Sequence, residues 1–117
     1  MKWILLKSKI HRAQVTHTNL HYEGSISIDK ALMEAAHLLP HEQVHVLNLS
    51  NGVRIETYVI PEKKNSGIIG INGAAARFFY QGDSVIILSY AWMEPEEARG
   101  HEPIIVHVNE NNQILKK

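Results

Sequence analysis

The Asn51-Gly52 pair constrains the fold more than any other feature of the chain, because it lies between two runs of alternating apolar and polar residues. The runs cover residues 43–49 and 53–60. Alternation with period two is typical of strands that bury one face, and Asn-Gly between two such runs is the strongest short-range signal of a β-hairpin. The sequence therefore predicts a hairpin with residues 50–52 as its turn.

Further short segments have the character of strands, and little of the sequence indicates helix. Asp29 is a good N-cap for a helix over residues 30–39, which Pro40 should end. A second short helix should begin at Asn72, within residues 72–79. The remaining strands are predicted at residues 3–10, 14–18, 68–71, 85–92 and 104–108. Many short strands with two small helices indicate a mainly β barrel.

The other segments are predicted to be connections. Gly82-Asp83 has the composition of a tight turn that leads into a strand. Residues 94–100 form a charged connection, and residues 109–117 form a polar tail that we expect to fray.

Composition excludes several functional classes. The 117 residues suit one domain, and an apolar content of 44% suits a packed core. Because 12 Lys and Arg residues balance 12 Asp and Glu residues, the chain lacks the basic footprint of a nucleic-acid binder. The apolar residues 3–6 are too few for a signal sequence or a membrane span, so we expect no membrane partner. The absence of cysteine agrees with a cytoplasmic protein.

The Gly24-Ser25 bond offers a chemistry that the rest of the chain lacks. The sequence contains no cysteine and no recognisable cofactor loop, so carbonyl or amine chemistry would need an electrophile made from the chain itself. The Ser25 hydroxyl can attack the Gly24 carbonyl to give an ester, and β-elimination followed by loss of ammonia would leave a pyruvoyl group. Such a ketone acts as an electron sink, as pyridoxal phosphate does elsewhere. A Gly-Ser pair by itself is usually a plain turn.

Several blocks accompany this bond with a characteristic spacing. They are Lys9-Ile10-His11-Arg12, Val15-Thr16-His17, Leu20-His21-Tyr22-Glu23-Gly24-Ser25, Asn51-Gly52 with Arg54 and Thr57-Tyr58, Asn72-Gly73-Ala74-Ala75-Ala76, and Gly82-Asp83. Together, over about residues 9–99, they resemble the bacterial aspartate 1-decarboxylase family. The resemblance implies a double-psi β-barrel that converts L-aspartate to β-alanine and CO2 for pantothenate and coenzyme A biosynthesis.

The resemblance also implies the cofactor and the assembly. The chain would cleave itself between residues 24 and 25 into a small and a large fragment. Ser25 would become a pyruvoyl group that forms a Schiff base with the substrate, without pyridoxal phosphate or metal. The family forms homotetramers with active sites between subunits, so we expect the same here.

Individual residues inherit roles from the resemblance. Ser25 is the pyruvoyl precursor and Tyr58 the proton donor, while Thr57 helps to polarise the Gly24 carbonyl during cleavage. The implied substrate-binding residues are Lys9, His11, Arg54, Thr57, Asn72, Gly73, Ala74 and Ala75.

Strand geometry supports part of this site and conflicts with another part. Arg54, Glu56 and Tyr58 share one face of a regular strand, where Arg54 can hold a carboxylate through two parallel hydrogen bonds. The alternative is an exposed hairpin face on which Arg54 pairs with Glu56 or solvent. Thr57 points to the opposite face, so we predict a bulge or similar irregularity near Thr57 that brings it to the same site.

The segment from Asn72 to Ala75 has two interpretations. Backbone N–H groups at a helix start favour anions, and small side chains let a ligand approach. Simple close packing is the alternative.

Other functions stay open at this point. The chain could be a non-catalytic double-psi barrel that acts as a binding module, or a pyruvoyl enzyme for another small acidic amino acid. His11, His17 and His21 lack the spacing of a metal site, so metal binding is not expected. Leu47 stands where the family has a bulky aromatic residue, which predicts a somewhat different pocket.

Overall fold

The computed structural model describes residues 1–116. Eight strands form one mixed sheet: β1 (Trp3–Gln14), β2 (His17–Asn19), β3 (Ser25–Asp29), β4 (Gln43–Asn48), β5 (Arg54–Glu62), β6 (Ile69–Asn72), β7 (Ser84–Met93) and β8 (Ile104–His107). The helical segments are short: α1 (Lys30–Ala35), a 3-10 helix (Gly73–Phe78) and α2 (Pro95–Arg99). The predicted mainly β class with small helices is confirmed, and the single mixed sheet agrees with the implied double-psi β-barrel.

The strands follow the order β2-β6-β3-β5-β4-β7-β1-β8 across the sheet. The pairs β1–β8, β2–β6 and β3–β5 are parallel, whereas the other neighbours are antiparallel. The strand β3 therefore has a parallel neighbour on one side and an antiparallel neighbour on the other, and Ser25 is its first residue.

The predicted central hairpin is confirmed. Strands β4 and β5 pair antiparallel from Leu47 opposite Arg54 to Gln43 opposite Tyr58. Gly52 in the turn has a φ of +76°, a backbone conformation that glycine adopts without steric cost. The predicted irregularity near Thr57 is wrong, because the register of the hairpin is unbroken through that residue. Beyond it, β5 continues beside a second strand, β3.

Two segments differ from the sequence predictions. Asp29 caps α1 as predicted, accepting a hydrogen bond from the Ala31 N–H at 2.8 Å, but the helix ends at Ala35, well before Pro40. His37 has a φ of 55°, which takes the chain out of the helical conformation. The predicted charged connection contains α2.

The polar tail is held rather than frayed as far as Leu115, so that prediction is wrong. Asn112 is only 2% exposed, and its amide nitrogen donates to the Gln14 and Gly67 carbonyls at 2.9 and 2.8 Å. The Leu115 N–H donates to the His107 carbonyl at 2.8 Å. Lys117 lies outside the described residues.

The core side of the sheet near Ser25 is entirely apolar. The residues that are 0% exposed there include Ile26, Ile28, Val59, Ile69 and Ile71. Because side chains alternate along a strand, Ser25, Ser27 and Asn72 face away from this core. Within residues 1–116, no helix is long and apolar enough to cross a membrane.

Candidate functional site

Ser25 is held by two hydrogen bonds at the start of β3. It is 2% exposed, and its hydroxyl donates to the Glu23 carbonyl at 2.9 Å. The hydroxyl oxygen also accepts from Asn72 Nδ2 at 3.0 Å. Asn72 lies directly opposite Ser25 in the antiparallel pairing of β3 with β6, so the sheet itself brings the two side chains together.

Gly73 packs against the bond that is predicted to break. Its φ is +79°, and a Cβ atom there would lie 2.6 Å from Gly24 Cα and 2.8 Å from Gly24 N. A side chain at position 73 would therefore displace Gly24. Gly24, Ser25, Asn72 and Gly73 thus form one group, which we call the Ser25 cluster. In the 3-10 helix that follows, Ala74 is exposed and Ala75 packs against the core.

Thr57 and Tyr58 lie in the strand beside the Gly24-Ser25 bond. The parallel pairing of β3 with β5 sets Ile26 opposite Val59. Thr57 and Tyr58 directly precede Val59, as Gly24 and Ser25 directly precede Ile26. Neighbouring strands are about 4.8 Å apart. The start of this pairing therefore brings the backbone of residues 57 and 58 near the Ser25 cluster without a bulge.

The basic residues of the predicted site lie elsewhere on the same chain. His11 is opposite Ile86, Ile86 is opposite Leu47, and Leu47 is opposite Arg54, so these residues form a row across four strands. Lys9 is two residues from His11 and shares its face. We call Lys9, His11 and Arg54 the basic row. Arg54 is four residues from Tyr58, roughly 13 Å along the strand. Within a single chain, the basic row is therefore well separated from the Ser25 cluster.

Arg54 is linked to Glu56 through a histidine that sequence reasoning missed. Arg54 Nη1 lies 3.1 Å from His45 Nδ1, and His45 Nε2 lies 3.2 Å from Glu56 Oε1. Since a guanidinium can only donate, Nδ1 accepts and the Nε2–H donates to the carboxylate. The alternative of an Arg54–Glu56 pair is thus replaced by a bridge. His45 lies on β4 opposite Glu56, a partner that only the hairpin register reveals.

His11 is poorly suited to carry a positive charge. Burial, followed by the nearby Lys9, His107 and Arg12 charges, lowers its pKa below the ordinary histidine value. Its Nδ1 is buried and has no hydrogen-bond partner within residues 1–116, and its ring meets the His107 ring edge-on at 5.5 Å. In the same part of the chain, no cluster of three His, Cys, Asp or Glu side chains has the arrangement of a metal site.

Sequence comparison places the chain among known proteins. The profile of the family described as aspartate decarboxylase matches residues 1–115. The chain belongs to the aspartate decarboxylase family. An aspartate 1-decarboxylase of Syntrophus aciditrophicus (strain SB) is 58% identical over 114 residues, covering 97% of this chain and 98% of that protein. Enzymes of the same name from Thermoanaerobacter pseudethanolicus and Maricaulis maris are 55% and 51% identical, and each comparison covers 97% of the relative.

The contact between Gly73 and Gly24 predicts a specific loss of stability. Gly73→Ala should lower the free energy of unfolding by about 1–2 kcal/mol, because alanine is strained in the left-handed backbone conformation. The collision of its Cβ atom with the Gly24 backbone should cost about 1–3 kcal/mol more. Gly82→Ala is the matched control, because Gly82 has a φ of +93° but a Cβ atom there would contact nothing within 4 Å. Thermal unfolding at equal protein concentration compares the two variants. Equal losses would show that the Gly24 backbone yields to a side chain.

Proposed function

We propose that the protein decarboxylates L-aspartate to β-alanine through a pyruvoyl group that it makes from Ser25, and so feeds pantothenate and coenzyme A biosynthesis in the cytoplasm. The observation that carries the proposal is the buried Ser25 hydroxyl, oriented by Glu23 and Asn72 beside a glycine carbonyl. Membership of the aspartate decarboxylase family supports the choice of reaction.

The Ser25 cluster fits the cleavage that this proposal requires. Gly24 is exposed and has no side chain to shield its carbonyl from attack. Thr57 lies two residues before Val59, which pairs with Ile26, and its hydroxyl would donate a hydrogen bond to the Gly24 carbonyl and so polarise it. Gly73 lets the Gly24 backbone lie close to it, because it has no Cβ atom that would displace Gly24.

The same surroundings fit a pyruvoyl group at residue 25. The group itself supplies a ketone that condenses with an amine and accepts electrons when CO2 leaves. Asn72 offers an N–H toward residue 25, and Tyr58 directly precedes Val59, the residue of the neighbouring strand that pairs with Ile26. Tyr58 can therefore deliver a proton to the carbon that has lost its carboxylate.

We propose that neighbouring subunits of a homotetramer complete each active site. Within one chain, Arg54 is too far along β5 to hold a substrate at residue 25 (roughly 13 Å from Tyr58). Large aromatic side chains on the surface offer area that a neighbouring subunit can cover. The most exposed of these aromatic residues are Tyr80 at 75%, Trp92 at 66%, Tyr22 at 52% and Phe78 at 51%.

The basic row of one subunit would then face the Ser25 cluster of another. Arg54 suits the side-chain carboxylate of aspartate, because its planar fork forms two hydrogen bonds. Lys9 adds positive charge that attracts a dianionic substrate. Leu47 lies between His11 and Arg54 in the row, so the smaller residue here would widen the pocket beside the clamp.

Self-cleavage is the first test of this function. The purified protein should contain a fragment that ends at Gly24 and one that begins with a blocked residue 25, and intact-mass spectrometry measures both. Ser25→Ala removes the attacking oxygen and should give a single chain. Ser89→Ala, which also removes a buried strand hydroxyl, should cleave normally. An uncleaved parent protein, or a cleaved Ser25→Ala variant, would contradict the proposal and favour a non-catalytic barrel.

If each active site is shared between two subunits, mixing two inactive variants should restore activity. Ser25→Ala lacks the electrophile but keeps Arg54, whereas Arg54→Lys cleaves normally but loses the planar carboxylate clamp. Co-expression in equal amounts should recover activity, at about a quarter of the sites in a ring of randomly mixed subunits. The measurement is β-alanine formation by purified hybrids. No recovery in confirmed hybrids would mean that each chain holds its own Arg54 and Ser25 in one site.

The proton-donor role of Tyr58 predicts a defect confined to turnover. Tyr58→Phe keeps the ring and removes the hydroxyl group with its acidic hydrogen. Folding and cleavage should be unchanged, which thermal unfolding and intact-mass spectrometry measure. Turnover of aspartate should fall by about 10²–10⁴-fold, the usual contribution of a positioned general acid. Turnover close to that of the parent, in fully cleaved protein, would assign the proton to another group.

A further inference from the structure

Asn72 uses both of its amide hydrogens inside the protein, and only one of them contacts Ser25. The second donates to Ser27 Oγ at 3.0 Å, the same distance as the bond to Ser25 Oγ. Asn72 is 3% exposed and Ser27 is 4% exposed, so water cannot readily replace either bond. The two serines stand two residues apart on β3 and therefore share a face.

The residue opposite Ser27 is covered by a histidine. Ser27 lies opposite Gly70 on β6, and Gly70 lies opposite His17 on β2. A Cβ atom on Gly70 would collide with His17 Nε2, so the imidazole lies over the place where a side chain would be. The Asn72 amide is buried, with Ser27 as its second anchor.

We infer that Ser27 is a positioning residue for self-cleavage, which holds the Asn72 amide so that its other N–H stays on the Ser25 oxygen. The inference rests on the proposed function. It adds a role for the Ser27 hydroxyl, which does not itself react. With hydrogen bonds to both serines the Asn72 amide plane cannot rotate, whereas with a hydrogen bond to Ser25 alone it can.

The chemistry of cleavage explains why this orientation would matter. Ser25 Oγ bonds to the Gly24 carbonyl carbon, the Gly24–Ser25 C–N bond breaks, and the nitrogen takes up the hydroxyl proton to become an amine. Elimination then breaks the bond between Ser25 Cβ and Oγ. The Cα proton passes to water and the electron pair passes to Oγ, which leaves as part of the Gly24 carboxylate. Water finally converts the enamine to the ketone and releases ammonia.

The atom that Asn72 contacts is therefore the leaving oxygen of the elimination step. Negative charge develops on that oxygen as the bond to Cβ breaks, and a fixed, buried N–H donor stabilises such a charge. Loss of the Ser27 anchor should slow elimination more than the preceding attack, because the donor contributes most where the charge is greatest. The ester between Gly24 and residue 25 should then accumulate.

The test follows the cleavage of freshly made protein by intact mass, with and without hydroxylamine, which cleaves esters far faster than amides. Ser27→Ala should slow cleavage roughly threefold to tenfold, the effect of one hydrogen bond, and should raise the hydroxylamine-sensitive fraction. Ser27→Cys keeps the size of the side chain but accepts hydrogen bonds weakly, so it should behave similarly and provides a second reading if the alanine variant folds poorly. Ser27→Thr keeps the hydroxyl and should restore the parent rate.

The outcomes separate this inference from the proposed function. Parent-like cleavage of Ser27→Ala and Ser27→Cys overturns the role of Ser27 and leaves the proposed function intact. Slower cleavage without additional ester also overturns it, because the effect would then lie in the attack or in folding. A parent protein that does not cleave overturns the proposed function and this inference together. Ser89→Ala, which removes a buried hydroxyl far from Asn72 in sequence, should match the parent in both rate and ester content.

Discussion

The rest of the site depends on the place of β3 between β5 and β6. Because β3 runs parallel to β5 and antiparallel to β6, its first residue lies opposite Asn72 on one side, and its second residue, Ile26, lies opposite Val59 on the other. The far end of the strand is equally fixed, since the Asp29 carboxylate accepts the N–H groups of Ala31, Asn65 and Gly67 at 2.8–2.9 Å. A strand held at both ends presents the Gly24-Ser25 bond in one orientation.

Features that depend on neighbours in sequence could be predicted, and features that depend on distant strands could not. The Asn51-Gly52 hairpin and the Asp29 cap follow from local backbone chemistry, and both are confirmed. The predicted bulge near Thr57 follows from the geometry of one strand alone, which does not include the pairing of β5 with β3. In the folded chain, β5 begins to pair with β3 just after Tyr58, so Thr57 and Tyr58 come near the start of β3 while the hairpin register stays regular.

The site shows the same division. The family resemblance named Ser25, Asn72 and Gly73, and the structure brings them together. It could not indicate Ser27, whose partner Asn72 is 45 residues away. Two serines that alternate with isoleucines on a buried strand are the sequence signal for a polar group there. Equally, no sequence pattern separates Arg54 from Ser25. That separation appears only when the register of the hairpin is known.

In the proposed function, self-cleavage and substrate binding use different groups of residues, the Ser25 cluster and the basic row. All the groups that cleavage needs belong to the Ser25 cluster and to the strand beside it, whereas the carboxylate clamp belongs to the basic row. Changes in the basic row can therefore alter substrate binding without disturbing the buried hydrogen bonds that prepare Ser25. Arg54 also donates a hydrogen bond to His45 in the isolated chain, so a substrate carboxylate must compete with that neutral acceptor. Arg54 should bind the carboxylate in preference, since charged hydrogen bonds are roughly twice as strong as neutral ones.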